Sequence, residues 1–354
     1  MNKGQILCLG DGQAGGILAD TMKDKNKRYS TAYINSSLGD TKCLKYADID
    51  TNVFIFNSAD GSGRDRQKSK KYFKSDAVRL MSFLKGFEQF KLVNIFFSTD
   101  GGTGSGNIAE LVIAISKVLP SIYINLVGIL PKLNEQDLQL ENSLDCIRDL
   151  QKVLHLINDV KFVNNNNMVN ASYEEINELV VNDLDLSFSL VGHSSIGSID
   201  ESNLENVLTS QGYGVLLNLN PQYDINKAIN MAKTESIFAI PDDLTSDYGA
   251  ISIDSDLDID RIISKLPVSK TFYKTTNDKG YNVVLLGGCC MPNDDISYIE
   301  LELEERSKEK ITLNRDKGFK LGAGVKKEQQ TKQNKNVIDD EGIDDLFNSD
   351  IFDL

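Results

Sequence analysis

The segment Asp100-Gly101-Gly102-Thr103-Gly104-Ser105-Gly106 follows a short apolar run, 92–97, and opens a stretch, 105–118, whose apolar residues recur at three and four. Glycines let a backbone turn sharply and approach a ligand closely. Interleaved with Thr103 and Ser105 at a helix N-terminus, they form a nest of N–H and hydroxyl donors suited to a phosphate. A plain flexible loop is the competing reading, and the placement from strand to helix speaks against it.

The same alternation of short apolar runs and helical periodicity fills the first half of the chain and predicts a parallel α/β sheet. Strands are expected at 5–9, 31–34, 53–56, 92–97, 123–129 and 160–163, with helices at 15–22, 75–90, 105–118 and 138–156. A long central helix should run from Tyr173 to about Val191, opened by Ser172 with Glu175 three residues on, a capping box. Strand-like runs 215–219, 250–253, 271–274 and 283–286, with helices near 226–233 and 259–266, predict a second α/β domain. A helix at 295–311 pairs Glu302 with Arg306 and Glu304 with Lys308 at i,i+4 and should lie across the outside. The expected division is a nucleotide-binding domain at 1–171, the central helix at 172–196, a second domain at 197–294, the C-terminal helix at 295–311 and a flexible tail at 312–354.

A second glycine loop, Gly10-Asp11-Gly12-Gln13-Ala14-Gly15-Gly16, leaves the first strand. Gly10, Gly12 and Gly15 also satisfy the dinucleotide-binding fingerprint, but that motif wants an acid at the end of the second strand, where the chain has Asn35. A P-loop would need Lys at position 16, which is Gly16.

The loop 101–106 resembles the signature loop of the tubulin/FtsZ superfamily, and the resemblance extends over most of the chain. It implies a tubulin/FtsZ-like α/β fold, binding of GTP or GDP with Mg²⁺ held mostly through waters rather than by a protein-built metal site, and GTP hydrolysis. Gly12, Gln13, Ala14 and Gly15 match the first phosphate loop, with Asn35 at the end of the second strand. Gly61, Ser62, Gly63 and Arg64 stand where the family keeps its loop for the terminal phosphate, and a surface turn is the alternative. Pro131 and Glu135 match the ribose-contacting loop. Tyr173 and Asn177 match a pattern in which a ring stacks on guanine and an amide reads its edge, and Asn165 matches the second base-reading amide.

In the superfamily the hydrolytic carboxylates act on the nucleotide of the neighbouring subunit in a head-to-tail filament. The first of these positions falls on Asp200; the second is Asn203, a departure for which Glu201 or Glu205 would have to substitute. A helix-capping acid is the bland alternative for Asp200.

Within the superfamily the first loop and residues 34–40 look most like the TubZ branch, partition GTPases of plasmids and phages that move DNA through an adaptor of the TubR type bound to the C-terminal tail. Ile343, Leu346, Phe347, Ile351 and Leu354 give that tail a helical apolar stripe that could fold on binding. Six lysines against the single Glu328 between Lys317 and Lys335 could touch DNA phosphates weakly, although a solvated linker is the better reading. A formal charge of -14 argues against wholesale nucleic-acid binding. The five cysteines share no disulfide or metal spacing and are expected to be reduced core thiols. With no membrane span expected, the protein should be cytoplasmic in a bacterial host cell. Two other functions stay open: a structural filament subunit that does not hydrolyse nucleotide, and an NAD-dependent oxidoreductase using Gly10, Gly12 and Gly15.

Overall fold

A computed structural model of the chain describes residues 1–313 apart from 58, 59, 169, 255 and 256, with side chains as far as 308. The expected alternation is realised as β1 (Ile6–Asp11), α1 (Gly12–Lys25), β2 (Ser30–Asn35), α2 (Leu38–Thr41), β3 (Val53–Ile55), α3 (Arg66–Lys85), β4 (Leu92–Ser98), α4 (Thr103–Val118), β5 (Tyr123–Leu130), α5 (Asp137–Val153) and β6 (Asp159–Asn164). These strands are parallel, in the order β3-β2-β1-β4-β5-β6. The chain builds outward from β1 to β3 and returns to the other side of β1 at β4. The turns leaving β1 and β4 therefore diverge, and such a switch point opens a crevice at the carboxyl ends of the strands.

The second half consists of α6 (Tyr173–Ser187), β7 (Gly192–Ser194), β8 (Gly197–Ile199), α7 (Glu201–Leu208), β9 (Gly212–Asn218), α8 (Ile225–Thr234), β10 (Ser246–Ile253), α9 (Ile259–Ile263), β11 (Val268–Thr276), β12 (Val283–Cys289) and α10 (Asn293–Leu313). β9 joins β6 in parallel through Asp159↔Gly212 and Val160↔Tyr213, and β12 and β10 extend the sheet antiparallel, so one ten-stranded sheet runs through both halves.

Parallel strands covered on both faces read as continuous apolar runs, and β4 shows why. Ile95 and Phe97 enter the core under α3, α4 and α5, whereas Phe96 enters the core under α1 and α6. Each apolar cluster spans both halves of the sheet: Val215 and Ile251 belong to the first, Leu216 and Ala250 to the second.

Several boundaries differ from expectation. α3 begins at Arg66 rather than near 75, because Asp65 caps it by accepting the N–H of Lys68 at 3.0 Å while the first turns carry mostly charge. α6 ends at Ser187 rather than near 191. Phe188 and Leu190 continue its apolar spacing because both are buried, not because they are helical, and a β7–β8 hairpin follows. Cys8, Cys146 and Cys289 are buried thiols as expected, but Cys43 and Cys290 are exposed, since no core face covers them. The C-terminal helix makes both i,i+4 ion pairs, Glu302–Arg306 and Glu304–Lys308. Among the described residues no helix is long and apolar enough to cross a membrane. The tail from 314 on, with its lysines and its apolar stripe, lies outside the described residues.

Candidate functional site

A cavity of about 560 Å³ opens in the crevice at the carboxyl ends of β1 and β4. Gly12, Gln13 and Ala14 line it from the turn into α1, and Gly101, Gly102, Thr103 and Gly104 from the turn into α4. Gly12 has a φ of 75°, a left-handed conformation that a side chain would strain. A Cβ on Gly104 would stand 2.7 Å from the Asp11 carbonyl, so only glycine lets the two loops meet. Both helices thus present unpaired N-terminal N–H groups and the positive ends of their dipoles to one space.

Gly61, Ser62, Gly63 and Arg64 close the cavity from a third loop, and Asn35 from the end of β2. The Thr103 hydroxyl lies 2.7 Å from that of Ser36 and 3.1 Å from that of Ser62, so three loops bring their hydroxyls together at one point of the wall. Arg64 donates to Gln139 at 2.6 Å, and Gln139 donates to Asp100 at 2.9 Å, which ties the third loop to the α4 turn. The Asn35 oxygen accepts the N–H groups of Ser36 at 2.8 Å and Ser37 at 3.2 Å; it shapes its own turn instead of standing as the free acid that a dinucleotide ribose requires.

At the other end lie Pro131, Glu135, Asn165, Tyr173 and Asn177. The capping box between Ser172 and Glu175 starts α6 where Tyr173 and Asn177 fall one turn apart on the cavity side. The Tyr173 ring is 56% exposed, an open platform for a planar ligand. Its hydroxyl donates to Glu135 at 3.3 Å, the Lys132 ammonium stands 4.9 Å from its centroid, and burial together with the Glu135 charge raises its phenol. Asn165 donates to the Leu130 carbonyl at 3.2 Å, which leaves its own buried Oδ1 without a protein donor. An orphan acceptor in a cavity wall suits a ligand that brings N–H groups.

Gly15, Ser105 and Gly106 do not line the cavity. A Cβ on Gly15 would strike the backbone of Phe96, and one on Gly106 would stand 2.8 Å from the Arg66 carbonyl, so these glycines seat α1 on β4 and α4 on α3. The Ser105 hydroxyl turns back onto the Gly101 carbonyl. Asp200, Glu201 and Asn203 also lie away from the cavity. α7 leads into β9 and packs at the amino ends of the strands: the Leu208 carbonyl accepts from Asn125 at 2.9 Å, and the Glu201 carbonyl accepts from the Met1 amino group at 2.8 Å. The cavity and the 200–203 segment therefore lie at opposite ends of the parallel strands.

Sequence reasoning passed over Ser36, Lys132, Gln139 and Asp11. Ser36 stands directly after Asn35, so the turn itself was the signal; Gln139 and Lys132 carried none. Asp11, 1% exposed, has no hydrogen-bond partner on either carboxylate oxygen. Burial, reinforced by the Glu110 carboxylate, pushes its pKa up to about 8.

The carboxylates on the wall are Asp11, Asp40, Asp100 and Glu135, and no trio of metal-binding side chains occurs among the described residues. Such a wall fits Mg²⁺ carried mainly by phosphate oxygens and water, with both buried oxygens of the Asp11 carboxyl group lacking a protein donor.

Residues 5–173 match the model of the Tubulin/FtsZ family, GTPase domain. The tubulin-like protein TubZ of Clostridium botulinum C phage is 24% identical over 309 residues, 87% of this chain and 85% of the relative. The structure of C-terminally truncated TubZ from Clostridium botulinum phage c-st superposes with a TM-score of 0.78 at 25% identity, covering 87% of this chain and 99% of that one. A GTPγS-form protofilament of TubZ from Bacillus thuringiensis serovar israelensis gives 0.74 at 16% identity over 90% and 96% of the two chains. The glycine loops, the switch-point cavity and these matches agree: residues 5–173 are similar to the GTPase domain of the Tubulin/FtsZ family, and the chain shares its fold with TubZ.

Proposed function

We propose that the chain binds GTP in this cavity and hydrolyses it within a head-to-tail filament of its own copies. The carrying observation is the placement of the cavity at the carboxyl ends of the parallel strands and of the 200–203 segment at their amino ends, because stacking copies along the strands would appose one subunit's Asp200 to the next subunit's nucleotide. In this reading the phosphates sit against Gly12–Ala14, Gly61–Arg64 and Gly101–Gly104, the ribose near Pro131 and Glu135, and guanine on Tyr173 between Asn165 and Asn177. Mg²⁺ would neutralise charge on the phosphates, and Asp200 would orient the attacking water. Residues 1–171 hold the nucleotide, 172–196 link to the Asp200 segment, and 197–294 carry the surface that meets the next subunit.

The proposed biological setting is partition of plasmid or phage DNA in the bacterial cytoplasm, with residues 312–354 engaging a DNA-bound adaptor and their lysines making weak DNA contacts. What supports it is the similarity to TubZ proteins. A second reading, a subunit that polymerises without hydrolysis, is favoured by one observation: an Asp200 oxygen already accepts the Asn203 N–H as a helix cap. Sedimentation with GTP, GDP and a slowly hydrolysed analogue, with phosphate release followed in parallel, separates the two. Release only above the concentration at which filaments form is the expected result. Filaments without release would establish the second reading, and no response to guanine nucleotides would end both.

A further inference from the structure

Ile296, Ile299, Leu303 and Arg306 recur at three and four along α10, which puts them on one face of the helix. Ile299 is buried in the core, with Ile296 and Leu303 packed against it, so this face points inward. Where the apolar stripe ends, Arg306 reaches the loop that joins β5 to α5. Its Nη1 donates to the Glu135 carbonyl at 2.5 Å and to Asp137 Oδ1 at 3.1 Å, its Nη2 donates to the Leu133 carbonyl, and its Nε donates to Glu302 at 2.6 Å. A guanidinium is a rigid fork of donors, and this one spans two carbonyls of a single loop.

The other end of α10 grips the same loop through an amide relay. Asp295 accepts from Asn164 Nδ2 at 2.7 Å, and Asn164 Oδ1 accepts from the Asn166 N–H and Nδ2, each at 3.0 Å. Asn166 then accepts the Leu133 N–H at 2.8 Å and donates to the Pro131 carbonyl at 3.1 Å. The loop held at both ends supplies Pro131, Lys132 and Glu135 to the cavity wall.

We infer that Arg306 is a positioning residue for the nucleotide site: it makes the C-terminal helix a clamp on the cavity loop, so that docking of α10 and nucleotide affinity are thermodynamically linked. The inference rests on the nucleotide reading of the cavity. Linkage is reciprocal, so whatever loosens α10 weakens the nucleotide, and an occupied cavity holds α10 down. The chain continues from α10 into residues 314–354, and a ligand that pulls on that segment would act on the nucleotide through Arg306.

The test uses the full chain below its assembly threshold, with a fluorescent GDP analogue as probe and hydrogen exchange over α10 as an independent readout. Arg306→Ala should weaken GDP by roughly tenfold, and Arg306→Lys by less, because an ammonium holds one carbonyl where the fork holds two. Glu304→Ala, on the same helix but facing solvent, should bind as wild type. Saturating GDP should slow exchange of the 299–306 amides in wild type and fail to do so in Arg306→Ala. Wild-type affinity in both Arg306 variants, or exchange in wild-type α10 that ignores GDP, would overturn the clamp while leaving the nucleotide site intact. Wild-type protein that does not bind GDP would instead remove the nucleotide reading, and the clamp with it.

Discussion

Asp200 and Asn203 cap each other: the Asp200 carboxylate accepts the Asn203 N–H at 2.7 Å, and the Asn203 carboxamide accepts the Asp200 N–H at 3.1 Å. The exchange satisfies two N–H groups at the start of α7. Capping and catalysis can be separated by substitution, since asparagine caps as well as aspartate does. Asp200→Asn should keep the wild-type melting temperature, bind GTP normally and slow phosphate release by roughly 10²-fold, leaving filaments that persist. Asp200→Ala should add a stability loss of about 1 kcal/mol. Wild-type turnover in Asp200→Asn would reduce the carboxylate to a cap.

Tyr173 offers a comparable separation. If its ring carries the base, Tyr173→Ala should weaken GDP and GTP equally by about 1–3 kcal/mol. Tyr173→Phe keeps the ring and loses only the 3.3 Å bond to Glu135, and should bind within a few-fold of wild type. Titration of a fluorescent guanine nucleotide into each variant reads both; equal losses would assign the affinity to the hydroxyl instead.

The buried carboxyl of Asp11 predicts a pH dependence. Burial, with the Glu110 charge, raises its folded pKa to about 8 against 3.8 for the exposed group. Folding therefore takes up a proton between these values, and the stability of the nucleotide-free protein falls as pH rises through that window, by up to about 1.4 kcal/mol per pH unit from this group. Asp11→Asn has no proton to take up. Its advantage in chemical-denaturation midpoint over wild type should widen from pH 5 to 8 and level off above. A constant difference would mean that Asp11 is ionised in the fold.

The parts of this architecture legible in the sequence are those set by local chemistry. The glycine turns that leave β1 and β4, the capping box at Ser172 and the i,i+4 pairs of the C-terminal helix are short-range patterns, and each is present in the structure. The hydroxyl contact between Ser36, Ser62 and Thr103 was not legible, because it depends on three loops converging at a switch point. The same holds for Arg306: its pairing with Glu302 could be read from spacing, but its reach to Leu133 and Glu135 is a tertiary contact across more than 170 residues of chain. α6 stops short of Val191: Phe188 and Leu190, though at a helical spacing, are buried in the turn that caps the helix and just beyond it. Gly15 and Gly106 carried the right motif but serve packing, a distinction that only the neighbouring strand and helix decide.

Base selectivity gives the narrowest prediction. Asn165 spends its amide N–H on the Leu130 carbonyl, and its buried oxygen is left as an acceptor. Guanine presents N–H donors on its Watson–Crick edge at two adjacent positions, whereas adenine presents an acceptor and a single amino group, so an orphan acceptor is satisfied by the first and poorly by the second. Asn165→Ala should weaken GTP by roughly tenfold and leave ATP unchanged, lowering the preference between them by the same factor. Asn165→Asp removes the bond to Leu130 but keeps an acceptor, and should bind GTP less well while retaining the preference. Competition of ATP and GTP against a fluorescent GDP analogue measures both variants directly. A preference lost equally in Ala and Asp would mean that Asn165 acts by holding the β5 end in place and that Asn177 alone reads the base.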